Sequence, residues 1–220
     1  MIEHLRDKFK DNYNYTAAFP TATVILDTAS KKDAPILATM YDCVKICRGN
    51  YKTKFDYDDS YNFRNTGGIF NPLSEKEIEN IIDADDSVIL TARKNDDIIA
   101  MLWISHFDKT SIYFRDIIVK NKNLSGIPTL FIRTATKLAA ELGYSDSFAE
   151  IYKVVYYNDG EYKKVDMLNE RSFNVAISSG GRHIEDLPLK ILTIDEIEFG
   201  IISNIITFEH TVVIDLLGKK

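Results

Sequence analysis

Residues 112–143 constrain this chain more than any other stretch. A run with strand character over 112–120 is followed by the short segment Asn123-Leu-Ser-Gly-Ile-Pro128, and then by an apolar helix closing near Gly143. A strand that feeds a loop and then a helix directs the first-turn amides of the helix at whatever lies beyond the strand end. Those amides have no partner inside the helix, and the helix dipole favours negative charge there. The segment therefore predicts a site for a phosphorylated ligand. Residues 148–157 return as a strand, and strand, helix and strand in this order predict a right-handed parallel crossover.

The remaining elements follow from periodicity and punctuation. Residues 23–27 read as a first strand. Residues 32–48 read as a helix, because Ile36, Met40, Cys43, Val44 and Cys47 recur at helical spacing before Gly49. Ser74-Glu-Lys-Glu77 is a capping-box signature that opens a helix through about Ile82. Residues 87–93, 98–107 and 111–119 are strand candidates joined by short polar links, an antiparallel meander. In the helix after the loop, Pro128 is expected at the first helical position. Its buried stripe is expected to be Leu130, Thr134, Leu138 and Leu142, with Phe131, Ala135 and Ala139 beside it. Asn158-Asp-Gly160 is a turn from which 161–165 pair back, 169–178 form a second helix before Gly180-Gly181, and 187–194 and 205–217 are final strands.

The expected order is β-α-α-β-β-β-α-β-α-β-β. This is an α/β (α+β) fold with a mixed, mostly antiparallel twisted sheet and helices on both faces. A length of 220 residues fits a single domain over 1–220, with 1–20 as an N-terminal extension and 50–73 as a long polar, aromatic loop. A net charge of −6 disfavours a nucleic-acid partner and favours a basic one. No apolar run reaches the roughly 20 residues that span a bilayer, and no signal peptide is evident at the start, so no membrane partner and a cytoplasmic location are expected. Cys43 and Cys47 lie four apart with no histidine near them. They read as reduced thiols, and no metal is expected.

The element order and the loop resemble the GNAT superfamily of acyl-CoA N-acyltransferases over about residues 23–217. In that family the loop pattern is Arg or Gln, two residues, Gly, one residue, Gly or Ala; here it falls on Asn123, Gly126 and Pro128. The resemblance implies acetyl-CoA as cosubstrate. Its pyrophosphate would lie on the backbone of Asn123, Leu124, Ser125, Gly126, Ile127, Pro128 and Thr129. Its pantetheine would enter where the preceding strand splays from the next parallel strand, beside Ile117, Ile118 and Val119. A later helix in the family opens with Asn, carries a small residue three on and closes at Gly, a frame matched by Asn169, Ser172 and Gly180. Three departures stand out. Asn123 is shorter than the usual side chain, Pro128 removes one amide, and Ala176 occupies the place of the family's Tyr, which serves as acid to the leaving thiolate.

Gly126 fits both a close phosphate approach and a simple turn needing positive φ. Asp116, on the strand before the loop, is the candidate base that deprotonates the amine, or else a paired structural carboxylate; alternation alone does not fix its face. Tyr156 is the candidate acid in place of the missing Tyr, with Tyr152 and Tyr157 as neighbours on the same strand. Asp56, Tyr57, Asp58, Asp59, Tyr61 and Phe63 form an acidic aromatic cluster suited to a cationic amine or to plain solvent. The single histidines His106, His183 and His210 read as satisfied residues. The expected activity is N-acetyl transfer to a small primary amine or a basic peptide end, with a homodimer compatible with the family. One alternative is a non-catalytic CoA-binding or interaction module. Another is transfer from an acidic carrier protein, for which Lys120 and Lys122 are the nearby basic residues.

Overall fold

The computed structural model describes residues 5–12, 15–19, 22–41, 73–120, 126–158, 161–168, 170–188, 190–194 and 197–209. Among the described residues ten strands form one sheet: β1 (Tyr15–Phe19), β2 (Ala22–Thr28), β3 (Ser87–Lys94), β4 (Asp97–His106), β5 (Ser111–Val119), β6 (Asp146–Asn158), β7 (Glu161–Leu168), β8 (Gly181–Asp186), β9 (Lys190–Ile194) and β10 (Ile197–Glu209). Their spatial order is β1-β2-β3-β4-β5-β6-β10-β8, with β7 also on β6 and β9 also on β10. Every pairing is antiparallel except β5 with β6. The expected meander is β3-β4-β5. Its first turn places Asn95 and Asp96 at φ 50° and 70°, the left-handed geometry that matches the twist of a two-residue hairpin.

Helices cover both faces. On one side lie α1 (Leu5–Asn12), α4 (Ile127–Glu141) and α5 (Glu170–Ser178). Leu5, Phe9, Phe131, Leu138 and Ala176 pack there against Val24, Leu90, Leu102, Ile112 and Phe114 of the sheet. On the other side lie α2 (Ala34–Tyr41) and α3 (Glu75–Asp83), where Leu37, Met40, Tyr41 and Ile78 pack against Ile89, Met101 and Ile118. The strand alternation of β3 feeds both cores: Val88, Leu90 and Ala92 face one, Ile89 the other. The capping box at Ser74 is present, with the Glu77 amide donating to its hydroxyl and Glu77 accepting from its amide.

Several expectations need adjustment. The first 20 residues hold α1 and β1, and Leu5 and Phe9 are fully buried. The first long helix is preceded by a 3-10 turn (Lys31–Asp33). Its buried residues are Ala34, Leu37, Met40 and Tyr41, whereas Ile36 is 41% exposed. Cys43, Val44, Cys47 and the loop at 50–73 lie outside the described residues, apart from Leu73. The stripe of α4 is rotated from the expected one: Ile127, Phe131, Ile132, Ala135, Thr136, Leu138 and Ala139 are buried, while Leu130, Thr134 and Leu142 sit at its margin. The apolar content of this helix is spread around its circumference, so periodicity alone placed the stripe about one residue off. Pro128 stands second rather than first, because Gly126 is the N-cap and Ile127 begins the helix. At the C-terminal end the strands fall at β8, β9 and β10 instead of two longer runs. Gly180, at φ 99°, ends α5. A Cβ at Gly181 would stand 2.6 Å from Ile206 Cγ2 and 2.7 Å from the Ala176 carbonyl, so only glycine lets β8 start this close to α5.

The re-centred stripe is measurable. Phe131→Ala should cost about 3–5 kcal/mol, the usual range for deleting a fully buried aromatic ring. Leu130→Ala should cost less than half of that value. Equal losses in urea unfolding would contradict the orientation of α4.

Candidate functional site

β5 and β6 run parallel and paired only over Ser111–Phe114 with Asp146–Ala149. Beyond these four pairs the two strands part. β5 keeps its other edge on β4 out to Val119 opposite Ala100, and β6 keeps its other edge on β10 from Asp146 to Tyr156. β7 then takes up the vacated edge of β6, but only from Lys153 opposite Leu168. Arg115 to Val119 on one side and Glu150 to Tyr152 on the other therefore border an opening in the sheet. Ile117, Ile118 and Val119 line it from β5. Ile118 turns its side chain into the α2–α3 core, while Ile117 and Val119 pack against the α4 side.

The chain leaving β5 returns as α4, whose N-cap Gly126 has φ 95°. This is the left-handed region where a side chain is strained, so the glycine at this position has a conformational reason. The first intrahelical bond runs from the Leu130 amide to the Gly126 carbonyl, 2.9 Å. The amides of Ile127 and Thr129 precede it, and Pro128 between them has none. A phosphorylated ligand at this helix start would thus meet fewer amides than a proline-free turn offers. The fit to a CoA pyrophosphate is preserved by Gly126 and reduced by Pro128. Asn123, Leu124 and Ser125 lie outside the described residues, as does Asn169. Ser172 lies on α5, which adjoins α4; the Arg133 guanidinium donates to the Ser178 carbonyl at 2.7 Å and links the two helices.

A bulge decides where Asp116 goes. Trp103 lies opposite Asp116 while Ile104 lies opposite Phe114, so Arg115 is an extra residue on β5. An extra residue reverses the side-chain alternation beyond it. Ile112 and Phe114 face the α4 core, but Asp116 turns to the α2 face. There Asp116 is 5% exposed, and its Oδ2 accepts a 2.9 Å hydrogen bond from the Tyr41 hydroxyl of α2. Burial raises the Asp116 carboxyl to about 6, against the lowering effects of the Tyr41 hydrogen bond and the Arg115 charge. The same burial, with the carboxylate beside it, pushes the Tyr41 phenol well above its usual range. The Arg115 guanidinium lies 4.8 Å from the Tyr113 ring and 5.8 Å from that of Trp103, and its Nε donates to Ser105 Oγ at 2.9 Å. The indole N–H of Trp103 is buried with no hydrogen-bond partner among the described residues.

The other predicted residues scatter. Tyr156 stands within the β6–β7 hairpin, its backbone opposite Phe199 on one edge and Lys163 on the other. Tyr152 stands at the open stretch of β6. Asp56, Tyr57, Asp58, Asp59, Tyr61 and Phe63 lie outside the described residues. Ala176 is 2% exposed and belongs to the apolar core on the α4–α5 side of the sheet. Lys120 donates its amide to the Ile99 carbonyl at 2.9 Å. His106 shares a 2.6 Å hydrogen bond with Tyr144, and His183 contacts Asp186 at 2.8 Å; His210 lies outside the described residues. The site residue absent from the sequence-based set is Tyr41. Its one signal was a polar-tipped ring at the end of an apolar helix face.

No protein-family model and no curated protein matches the chain in sequence. Solved structures do match in shape. A spermidine N-acetyltransferase chimera from Vibrio cholerae and hSSAT superposes with a TM-score of 0.58 at 11% identity, covering 87% of this chain and 98% of that one. An N-acetyltransferase from Staphylococcus aureus gives 0.56 at 14% identity, covering 85% and 98%. The GNAT domain of PAT from S. lividans gives 0.55 at 15% identity, covering 89% and 96%. At this identity the likeness concerns the fold: the chain has the GNAT N-acetyltransferase fold, in a divergent form.

The buried Asp116 also carries a stability signature. Burial holds its carboxyl at about 6 in the folded protein, above the ordinary value of 3.8. Its contribution is therefore fully present below about pH 4 and is lost as pH rises through about 6. By this linkage the ionised form withholds on the order of 3 kcal/mol. Asp116→Asn keeps an acceptor for Tyr41 without the charge. The melting temperature of this variant relative to the parent should rise between pH 4.5 and pH 8, each measured in the same buffer series. A constant difference across that range would mean that Asp116 is not a buried, raised carboxyl.

Proposed function

We propose that the protein is an acyl-CoA-dependent N-acyltransferase, most simply one that moves an acetyl group from acetyl-CoA to a primary amine by direct attack in a ternary complex. The observation that carries this reading is the parting of β5 from β6 after Phe114 and Ala149, with the Gly126-headed helix beyond it. Acetyl-CoA would supply the activated acyl group. The chain's own residues would bind and orient it. The backbone of Ile117, Ile118 and Val119 borders the opening, the segment from Asn123 through Thr129 would take the pyrophosphate, and Asn169 and Ser172, the latter on the adjoining helix α5, would complete the cofactor-binding set.

In this reading Asp116 accepts the proton that the amine loses as its nitrogen bonds to the acyl carbon. The carbon–sulfur bond then breaks, and the departing thiolate takes a proton from a phenol of β6, either Tyr156 or Tyr152. No covalent enzyme intermediate is required, and orientation and backbone electrostatics provide most of the acceleration. The acceptor is a small cationic amine or a basic peptide end, held by Asp56, Tyr57, Asp59 and Tyr61. The net charge of −6 supports this choice, as does a spermidine N-acetyltransferase among the similar folds. A second reading, the same fold retained for CoA binding without turnover, is favoured by the enclosure of Ala176 where the family carries its acid.

Three outcomes test the proposal. The parent should be thermally stabilised by acetyl-CoA through mass action. Gly126→Val should reduce that stabilisation by more than half, beyond the roughly 1–3 kcal/mol that a branched residue at this φ costs the fold itself. Unchanged binding in the folded variant would place the cosubstrate elsewhere. Across a panel of amines, turnover should favour polycations over acidic amino acids, and changing Asp56, Asp58 and Asp59 to Asn should remove both that preference and its salt sensitivity. Binding without turnover of any amine would support the second reading. Where turnover is observed, its rate should rise with pH through about 6 as the Asp116 carboxyl ionises.

A further inference from the structure

Asp116 is held by a residue from outside its own sheet. Tyr41 ends α2, 75 positions away in sequence, and its ring is 1% exposed. It packs with Leu37, Met40 and Ile118, so the phenol is delivered to Asp116 Oδ2 by a rigid helix rather than by a loop. We propose that Tyr41 is a positioning residue for the acyl-transfer base: its hydroxyl occupies one carboxylate oxygen of Asp116 and leaves the other to accept the proton of the amine. This rests on the reading of Asp116 as the base.

The geometry separates two roles that a buried carboxylate could have. A carboxylate serving only to tether α2 would need the Tyr41 bond and nothing more. This carboxylate sits at the bulge, two residues beyond the last β5–β6 pair at Phe114, where the opening begins. Among the described residues the charged and titratable groups that face it are Tyr41 from α2 and Arg115 from its own strand; β4 presents Trp103 across the pair, which does not titrate. The Tyr41 bond favours the ionised carboxylate, as does Arg115, and both work against burial. Removing the phenol hydroxyl should therefore raise the pH at which Asp116 ionises.

The experiment compares the parent, Tyr41→Phe and Asp116→Asn, following kcat and kcat/KM against pH with a cationic amine, together with 13C-detected titration of the Asp116 carboxyl in the unliganded protein. Tyr41→Phe keeps the ring in its packing. Its acidic limb should move up by roughly one pH unit, kcat should fall by about tenfold, and KM for acetyl-CoA should stay within twofold of the parent. Site-specific 3-fluorotyrosine at 41, a stronger donor of nearly the same shape, should move the limb in the opposite direction and covers the case in which Tyr41→Phe folds poorly. A lowered melting temperature with an unmoved limb and an unmoved carboxyl midpoint would reduce Tyr41 to a tether and overturn the proposal. Full activity in Asp116→Asn would instead remove the base assignment itself. The absence of any transfer by the parent would remove the proposed function, and the carboxyl titration would still decide whether Tyr41 sets the ionisation of Asp116.

Discussion

The parting of two parallel strands organises the rest of this molecule. β5 and β6 stay paired over Ser111–Phe114 and Asp146–Ala149 and then separate, although both continue as strands. Each can do so because its outer edge is secured. β4 follows β5 to Val119, and β10 follows β6 from Asp146 to Tyr156. Backbone groups along an opening inside a sheet must find partners, because leaving them buried and unmatched is costly. An extended ligand with its own amides can provide those partners, so a gap of this kind suits an extended ligand better than a compact one. β7 closes the gap from Lys153 onward and so bounds its length.

The bulge at Arg115 is coupled to this separation. One extra residue bends β5 at the level where it leaves β6, and it also exchanges the faces of the residues that follow. Asp116 consequently leaves the large apolar core of α1, α4 and α5 and enters the smaller one beneath α2. There burial works against ionisation, while a phenol and a guanidinium work for it. A carboxyl balanced near neutral pH in this way is unfavourable to stability when charged, and it is well matched to accepting a proton. The cost to the fold and the basicity on which the proposed role of Asp116 would draw have one physical origin.

At the other side of the opening, the turn into α4 departs from a simple anion cradle. Gly126 takes the left-handed conformation that carries the chain into the helix, and Pro128 withholds one amide from the first turn. Ala176, which replaces a polar ring of the resembled family, is enclosed between α5 and the β8 start at Gly181. Close packing holds the end of α5 against β8: a Cβ at Gly181 would touch Ile206 and the Ala176 carbonyl, and the Ala176 side chain itself is buried among apolar neighbours.

The sequence by itself determined the meander, the crossover and the Ser74 cap, because hydrophobic periodicity, turn residues and capping are local and leave local traces. It also located Gly126, since only a strand-to-helix turn of this kind demands glycine at that point. It placed the α4 stripe imperfectly, because apolar residues surround that helix and only neighbours decide which are covered. It left α1 and β1 unseen, since their burial depends on partners such as Asp85 and β2 rather than on their own pattern. The face of Asp116 and its bond to Tyr41 were decided by tertiary structure alone. A single-residue bulge reverses every later side chain on a strand without changing composition or spacing. The partner it brings into reach stands 75 residues earlier, a separation over which no sequence pattern carries register.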